Sequence, residues 1–131
     1  MKHSRGFTVI EVLVVLAFAI TACVLFLTQK ASVDAALRDS DRKTSINAMY
    51  FNLEEVYYEK NGYYPSEINS QALRAMDPEL FYDPAGAHIN ESPSTLHYEP
   101  ADCSLDNKCK RYTLRADLER EAEFSKNSRR S

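Results

Sequence analysis

Hydrophobic positions near the start of the chain form one long apolar run. From Phe7 to Leu27, Glu11 is the one acidic side chain and no basic side chain occurs. At the helical rise of 1.5 Å per residue the run spans roughly 31 Å, close to the roughly 30 Å hydrocarbon core of a bilayer. The pattern predicts a membrane-spanning α-helix.

Beyond this run the helix is predicted to continue, because residues Lys30 to Lys60 contain neither Gly nor Pro. Asn61-Gly62 is a helix stop signal and predicts the end of the helix. The polar stretch Asp39 to Ser45 is expected to be an exposed neck. Apolar residues at spacings of three and four predict a face against which a domain packs: Ile46, Met49, Tyr50, Leu53, Val56 and Tyr57.

The sequence of the second half of the chain predicts a small globular domain, called the head below. Residues 66–80 are expected to hold a short helix, and residues 81–95 a loop with Pro and Gly. Leu96 to Glu99 and Arg111 to Leu118 alternate in polarity, which is typical of antiparallel strands. The fold class is therefore α+β, with a long N-terminal α-helix packed against a small antiparallel β-sheet. The short helix is predicted to bury Ile68, Leu73, Met76 and Leu80, and the last strand to bury Tyr112, Leu114, Ala116 and Leu118.

The composition of the chain argues against several classes of protein function. The 131 residues leave room for one head beside a long helix, and 16 basic against 19 acidic side chains give a formal charge of −3. That balance does not favour charge-driven disorder or a uniformly basic nucleic-acid-binding surface. No nucleophile elbow, phosphate-binding loop, zinc-protease motif or paired catalytic carboxylate occurs, so we predict no enzymatic activity and no cofactor.

Glu11 is the exceptional residue of the apolar run, because an ionised carboxylate there costs about 2.5 to 3.5 kcal/mol unless it is neutralised. Lys2 and Arg5 precede the run, and the positive-inside rule therefore predicts a cytoplasmic N-terminus and an extracytoplasmic head. Snorkelling of Glu11 to the headgroups is one interpretation. The other is that cleavage after Gly6 creates an α-amino group on Phe7, which pairs with Glu11 of a neighbouring subunit.

The sequence Arg5-Gly6-Phe7-Thr8-Val9-Ile10-Glu11-Val12-Leu13 resembles the cleavage and methylation signature of type IV pilins and pseudopilins. It has a basic leader, a small residue before the cut, an aromatic first mature residue and Glu at the fifth mature position. The resemblance implies that a prepilin peptidase cuts between Gly6 and Phe7 and N-methylates Phe7, and that Glu11 guides assembly. Loss of Lys2 and Arg5 would take the formal charge from −3 to −5.

Two further segments resemble the same family. Asn61-Gly62-Tyr63-Tyr64-Pro65 is similar to the turn that ends the long pilin helix, and Tyr112 to Glu119 is similar to the last strand of small pilin heads. One departure is that the apolar helix, Phe7 to Thr28, contains neither the Pro nor the Gly that many pilins carry there. The implied organisation is a leader at 1–6, an assembly half-helix at 7–29, an extracytoplasmic half-helix at 30–60, a head at 61–124 and a polar, frayed tail at 125–131.

The resemblance implies a pilin-like fold and a structural role in a filament. The machines that use such subunits are type IV pili for adhesion, twitching or DNA uptake, and type II secretion pseudopili. The implied partners are other pilin subunits, the prepilin peptidase, an inner-membrane assembly platform and, before assembly, the lipid bilayer. The implied location is a single-pass protein of the inner or plasma membrane that later joins an extracytoplasmic filament.

Other interpretations use the same N-terminal residues. Ile20-Thr21-Ala22-Cys23 resembles a lipobox, which would make the chain a lipid-anchored binding protein processed at Cys23. An ordinary secretory signal would be cut after Ala17-Phe18-Ala19, and an unprocessed chain would be a single-pass protein with a binding head. The structural alternative for Cys23 is an inert thiol packed among helices.

Cys103 and Cys109 lie in the part of the chain predicted to be exported, which favours a disulfide that closes a tight loop. A zinc site would recruit His97, Asp102 or Asp106 beside the two thiols, but the spacing is not that of a zinc motif. Some pseudopilins bind calcium in the head, and the resemblance therefore draws attention to oxygen ligands whose spacing matches no calcium motif: Asp83, Asp102, Asp106 and Asn107.

A local basic cluster follows the first of these cysteines. Lys108, Lys110, Arg111 and Arg115 lie close together near the predicted disulfide loop of a net acidic chain. One interpretation is a contact patch for DNA or another anionic surface. The alternative is a solvated strand face whose charges are paired with neighbouring carboxylates.

Overall fold

The structure is a computed structural model that describes residues 6–130. The chain divides into two compact units, residues 1–35 and residues 36–131. Lys2 and Arg5 of the predicted leader, and the last residue of the predicted tail, lie outside the described residues.

One long helical region is present, as predicted. Helix α1 spans Val9–Phe51, a π-helical turn spans Asn52–Tyr57, and helix α2 spans Tyr58–Asn61. The helix ends at Gly62, whose φ of 77° is left-handed and whose N–H donates a 2.7 Å hydrogen bond to the Tyr58 carbonyl. Glycine adopts this conformation without steric cost, which explains the stop at the predicted position.

In the first unit, the side chains of residues 6–31 are all exposed to solvent, including the entire apolar run. A helix that is hydrophobic on every face is stable only where all of these faces are shielded from water. The run therefore requires either lipid or other protein surfaces around it.

In the second unit, four antiparallel strands form one sheet: β1 Tyr64–Pro65, β2 Leu96–Cys103, β3 Lys108–Ala116 and β4 Phe124–Asn127. Strand β3 is central, because it pairs with β2 along one edge and with β1 and β4 along the other. The predicted α+β class is confirmed.

The head core lies between the sheet, the second half of the helical region and the segment that joins β1 to β2. Ile46, Met49 and Leu53 of the predicted helix face are completely buried. The other buried hydrophobic residues are Tyr64, Ile68, Leu73, Met76, Phe81, Ile89, Leu96, Tyr98, Cys109, Tyr112, Leu114 and Ala116.

The predicted helix face is wrong at Val56, whose side chain is 42% exposed, whereas Glu54 is 1% exposed. The reason is the π-helical turn, in which the Tyr58 N–H donates to the Leu53 carbonyl five residues earlier. One extra residue in the turn rotates the following side chains by about 100° relative to a continuous α-helix. Glu54 therefore points inward and Val56 outward.

The predicted exposed neck is wrong at three of its seven residues, whereas Ser40, Asp41 and Thr44 are exposed as expected. Asp39, Arg42 and Ser45 are buried, with exposed fractions of 2%, 4% and 4%. The sequence pattern failed here because Asp39 and Arg42 are polar yet hydrogen-bonded within the head, which periodicity of apolar residues does not detect.

The short helix predicted within residues 66–80 does not form, although Ile68, Leu73 and Met76 are buried as expected. The Asn69 side chain accepts hydrogen bonds from the N–H groups of Gln71 and Ala72 at 3.0 and 2.9 Å. Such local bonds compete with helix formation. A single 3₁₀ turn, Pro78–Phe81, closes the segment.

The frayed tail predicted at residues 125–131 is instead ordered over its described part. Strand β4 pairs with β3 in the register Ala116↔Phe124 to Thr113↔Asn127. The segment lacks apolar side chains after Phe124, but backbone pairing at a sheet edge does not need them. Both strands β2 and β3 are longer than predicted, because they continue to the cysteines of the hairpin.

Candidate functional site

The predicted cleavage bond, Gly6–Phe7, lies beside Glu11. Gly6, Phe7, Thr8 and Glu11 line one surface depression, and the Phe7 side chain is 81% exposed. The bond on which processing would act is therefore accessible, and the acidic residue proposed for assembly lies next to it.

Thr8 and Glu11 form a capping box at the start of α1. The Thr8 N–H and hydroxyl donate to Glu11 Oε2 at 2.8 and 3.0 Å, and the Glu11 N–H donates to Thr8 Oγ1 at 3.3 Å. A threonine before the helix and a glutamate three residues later satisfy two N–H groups that the helix leaves without partners. Glu11 thus has a local structural role that the sequence analysis missed, although its Thr-x-x-Glu signal is present.

Among residues 6–130, one helix is long and apolar enough to cross a membrane, and it begins near the N-terminus. Cys23 is a free, exposed cysteine within the unbroken helix α1. The apolar run thus continues as helix on both sides of the predicted lipobox.

Cys103 and Cys109 form the predicted disulfide. They are cross-strand partners at the end of the β2–β3 pairing, so the bond closes the hairpin at its tip. Asn107, in the connecting turn, has a φ of 59°, and the Leu105 side chain there is fully exposed. The hairpin tip is a constrained loop that projects into solvent.

The predicted basic patch does not converge on one ligand position. Arg111 lies 2.6 Å from an Asp102 oxygen, and Arg115 lies 3.0 Å from Glu99 and 3.3 Å from Glu123. Two of the four predicted cations are therefore already neutralised by carboxylates of the head. For these two arginines the structure supports the second interpretation, a solvated strand face whose charges are paired with carboxylates, rather than an anion-binding site.

Lys108 and Lys110 are the remaining members of the predicted patch. Both line a groove of about 580 Å³ that Tyr58 and Tyr63 also line, and the Lys108 ammonium lies 5.3 Å from the centre of the Tyr63 ring. Neither lysine has a carboxylate within ion-pair distance among the described residues. The Lys108 cation is partly stabilised by the aromatic ring beneath it.

The residues considered as ligands in the zinc and calcium alternatives do not form a metal-binding group among the described residues. The described part of the chain contains no group of three or more His, Cys, Asp or Glu side chains that could hold a metal ion. Asp102 pairs with Arg111, and His97 lies 3.3 Å from Asp117. Asp83 accepts hydrogen bonds from Thr95 Oγ1 at 2.8 Å and from the Ala85 N–H at 2.7 Å.

A buried carboxylate at Glu54 is the main feature that the sequence analysis missed. It accepts hydrogen bonds from the hydroxyls of Tyr64 and Tyr112, at 3.0 and 2.8 Å, and from the Arg129 N–H at 2.9 Å. Burial and the adjacent carboxylate raise the pKa of both tyrosines above its ordinary value. Glu54 thereby joins the helical region, β1, β3 and the segment after β4.

A second buried polar cluster surrounds Asp39. Its carboxylate accepts hydrogen bonds from the N–H groups of Glu119 and Arg120 at 2.8 and 2.9 Å and from Arg42 at 2.9 Å. Burial raises the pKa of Asp39, but these donors outweigh it and hold the pKa below its ordinary value. Arg42 also donates to Thr95 and Glu119, both at 2.9 Å. The cluster fastens the loop after β3 to helix α1.

Comparisons of the chain with protein-family models, with curated proteins and with solved structures found no significant match.

Proposed function

We propose that the protein is a structural subunit of a type IV pilus or a related filament. A peptidase removes the leader by cutting between Gly6 and Phe7, and the α-amino group of Phe7 becomes methylated. Subunits then leave the membrane and pack side by side through the apolar half of α1, with the heads outward. The type II secretion pseudopilus belongs to the same class of filament, and its subunits would be processed in the same way.

The observation that carries this proposal is the Gly6–Phe7–Glu11 arrangement at the start of an apolar helix whose side chains are all exposed. A lone helix of this composition is stable in lipid or among other apolar helices, where its side chains leave water. An interior acidic residue in such an environment needs a cation. Cleavage supplies one at Phe7, and a bundle of identical subunits places that cation near the Glu11 of a neighbour.

The structural role we propose needs no catalytic site. The three buried carboxylates, Asp39, Glu54 and Asp83, accept hydrogen bonds that join segments of the head. Such networks fix the arrangement of a domain rather than perform chemistry on a substrate. The head in this proposal is the exposed surface of each subunit, and its two clusters keep that surface rigid.

The proposal is tested by mass spectrometry of N-terminal peptides from native membranes and from sheared surface material. We expect a chain that begins at N-methylated Phe7. Recovery in the sheared fraction indicates a surface pilus, and retention in the cell envelope indicates a secretion pseudopilus. A chain that begins at acylated Cys23, or at Met1 alone, would contradict the proposal.

Two variants separate these outcomes. Gly6→Leu places a bulky side chain at the proposed cut and should leave the leader attached. Cys23→Ala should be processed at Phe7 as the parent chain is. If instead Cys23→Ala blocks maturation and Gly6→Leu does not, the chain is a lipid-anchored protein rather than a filament subunit.

A further inference from the structure

The hairpin tip, residues 103–109, carries an exposed apolar side chain beside an excess of positive charge. The Leu105 side chain is completely exposed, and the disulfide restricts the loop that presents it. Lys108 and the neighbouring Lys110 are exposed and have no carboxylate within ion-pair distance among the described residues. Asp106 is the carboxylate of the same loop. The tip therefore presents one leucine with two cations and one anion around it.

A second surface of the head, called the acidic groove below, has the complementary character. Its volume is about 290 Å³, and its apolar lining comes from Leu80, Tyr82 and Pro84. Tyr82 is 50% exposed, so this lining is open to solvent. Asp41 and Glu79 also line the groove, and neither carboxylate has a cation within ion-pair distance among residues 6–130. The acidic groove thus combines an apolar lining with two unpaired negative charges.

The two surfaces lie at opposite ends of the head. Strand β2 follows Thr95, whose hydroxyl donates a 2.8 Å hydrogen bond to Asp83 in the acidic groove, and it ends at Cys103 of the hairpin tip. Eight strand residues span roughly 25 Å. The helical region agrees, because Asp41 lines the acidic groove, Tyr58 lines the groove at the hairpin tip, and the helix between them is roughly 25 Å long. A contact between the two surfaces must therefore join two chains.

We propose that the hairpin tip of one subunit docks into the acidic groove of a second copy of the chain. Leu105 enters the groove against its apolar lining, and Lys108 and Lys110 face Asp41 and Glu79. Burial of an exposed leucine and the pairing of opposite charges both favour this contact. Because the two surfaces differ, the contact is heterologous, and it repeats from subunit to subunit in an open helical filament.

The contact rests on the proposed function and names which surfaces of neighbouring heads meet in the filament. Subunits that pack with parallel helices have heads that point the same way, so the tip end of one head faces the groove end of another. One leucine and a few charges form a weak interface by themselves. The apolar helices hold the heads at a high effective concentration, at which such a weak contact forms. Charge complementarity then fixes the position of each head against the next.

A zero-length carbodiimide cross-linker, which joins an amine to a carboxylate in direct contact with it, tests the proposal on the native chain. Sheared filaments and native membranes are treated, and linked peptides are identified by mass spectrometry. We expect Lys108 or Lys110 to be linked to Asp41 or Glu79. The distance of roughly 25 Å between the surfaces excludes such a link within one chain. Lys60, an exposed lysine without an ion pair in the described part of the chain, should give no link to these carboxylates.

The N-terminal peptides of the same samples separate failure of the contact from failure of the proposed function. Filaments of chains that begin at Phe7 but lack the link overturn the contact and leave the filament proposal intact. The link in chains that begin at Met1 or Cys23 supports the contact and contradicts the proposed processing.

Charge reversal tests the same contact in cells. Lys108→Glu and Glu79→Lys should each lower the yield of sheared filaments about tenfold, because like charges then face each other across the contact. The double variant restores opposite charges and should recover most of the yield. Lys60→Glu is the matched control, since it makes the same charge change outside the tip, and it should assemble as the parent chain does. A double variant that is processed at Phe7 but assembles no better than the single variants overturns the proposal.

Leu105→Ser keeps the proposal testable if a charge-reversed chain fails to fold. A completely exposed side chain is not part of the head core, so this substitution leaves the fold unchanged. It should lower the filament yield about tenfold, because the leucine no longer leaves water in the contact. A yield equal to that of the parent chain contradicts the docking of the hairpin tip.

Discussion

The Tyr112 hydroxyl donates a 2.8 Å hydrogen bond to the Glu54 carboxylate, and both residues are almost completely buried. This bond connects the central strand of the sheet to the π-helical turn. Since β3 pairs with every other strand, its attachment to Glu54 also determines how the sheet lies on the helical segment of the head. The head is therefore organised around a polar contact as well as around an apolar core.

We predict that Tyr112→Phe lowers the free energy of unfolding of the head by about 2 kcal/mol, because a buried carboxylate loses one of its donors. Urea denaturation followed by tyrosine fluorescence or circular dichroism measures the change. Tyr82→Phe is the matched control, since Tyr82 is 50% exposed and its hydroxyl has no hydrogen-bond partner among residues 6–130. Equal effects of the two substitutions would contradict the role assigned to Glu54.

Arg42 and Arg38 provide a second matched pair. The Arg42 side chain is 5% exposed and contacts Asp39, whereas Arg38 is 41% exposed and pairs with Glu119. Arg42→Ala should destabilise the head by about 3 to 5 kcal/mol, because it leaves a buried carboxylate without its cation. Arg38→Ala should cost at most about 1 kcal/mol. Chemical denaturation of the two variants under identical conditions makes the comparison.

Stability of the head should fall in acid. Hydrogen bonds from Arg38 and Arg42 lower the pKa of Glu119 to about 2, from an ordinary value of 4.5. Between these values the unfolded chain binds the proton more readily than the folded chain, so the free energy of unfolding decreases as the pH falls from 4.5 towards 2. Asp39 contributes with the same sign below 3.8.

Glu119→Gln tests this assignment in a series of thermal melts from neutral to acidic pH. The variant should lose stability at neutral pH and show a shallower decline between pH 4.5 and 2. Glu67→Gln, at an exposed carboxylate without an ion pair among the described residues, should follow the parent curve. A Glu119→Gln curve parallel to the parent would show that this carboxylate does not drive the decline.

The disulfide should contribute modestly to stability. Cys103 and Cys109 are six positions apart, and closing so short a loop in the unfolded chain is worth about 2 kcal/mol. We expect a reducing agent to lower the denaturation midpoint of a Cys23→Ala chain by an amount that corresponds to this value. The same agent should have no effect on a Cys103→Ser, Cys109→Ser chain. Thiol counting of the unreduced parent should find one free cysteine, Cys23.

The elements that the sequence predicts correctly follow from local rules. The helix stop depends on Gly62, which alone can adopt the left-handed conformation without strain. The alternation of β3 predicted the burial of Tyr112, Leu114 and Ala116, which is confirmed. The disulfide followed from two cysteines in a segment expected to be exported, and the structure contains it.

The parts that the sequence does not predict depend on buried polar groups. From the sequence, Asp39 and Glu54 are predicted to be exposed helix positions. Their hydrogen-bond partners, Glu119 and Tyr112, lie about 80 and 60 residues away, so the local pattern contains no sign of their burial. The π-helical turn places Glu54 in the head core and leaves Val56 exposed. Strand β4 was not predicted for a related reason. Backbone pairing with β3 and the contacts of Arg129 hold this C-terminal segment, which has no apolar pattern.

Glu11 has two roles that substitution can separate. As a capping residue it needs a side-chain acceptor for the Thr8 N–H, which glutamine also provides. As an assembly residue it needs a negative charge, which glutamine lacks. Glu11→Gln should therefore leave the helix start and membrane insertion intact and abolish incorporation into filaments. Thr8→Ala should weaken the helix start by about 1 kcal/mol and leave incorporation largely unchanged.

The measurement is the yield of sheared filaments from cells that express each variant, normalised to the amount of protein in the membrane. Glu11→Ala, which removes both functions, should behave as Glu11→Gln does in this assay. If Glu11→Gln assembles normally while Thr8→Ala and Glu11→Ala do not, capping of α1 is the property that assembly requires, and the charge pair with Phe7 is not.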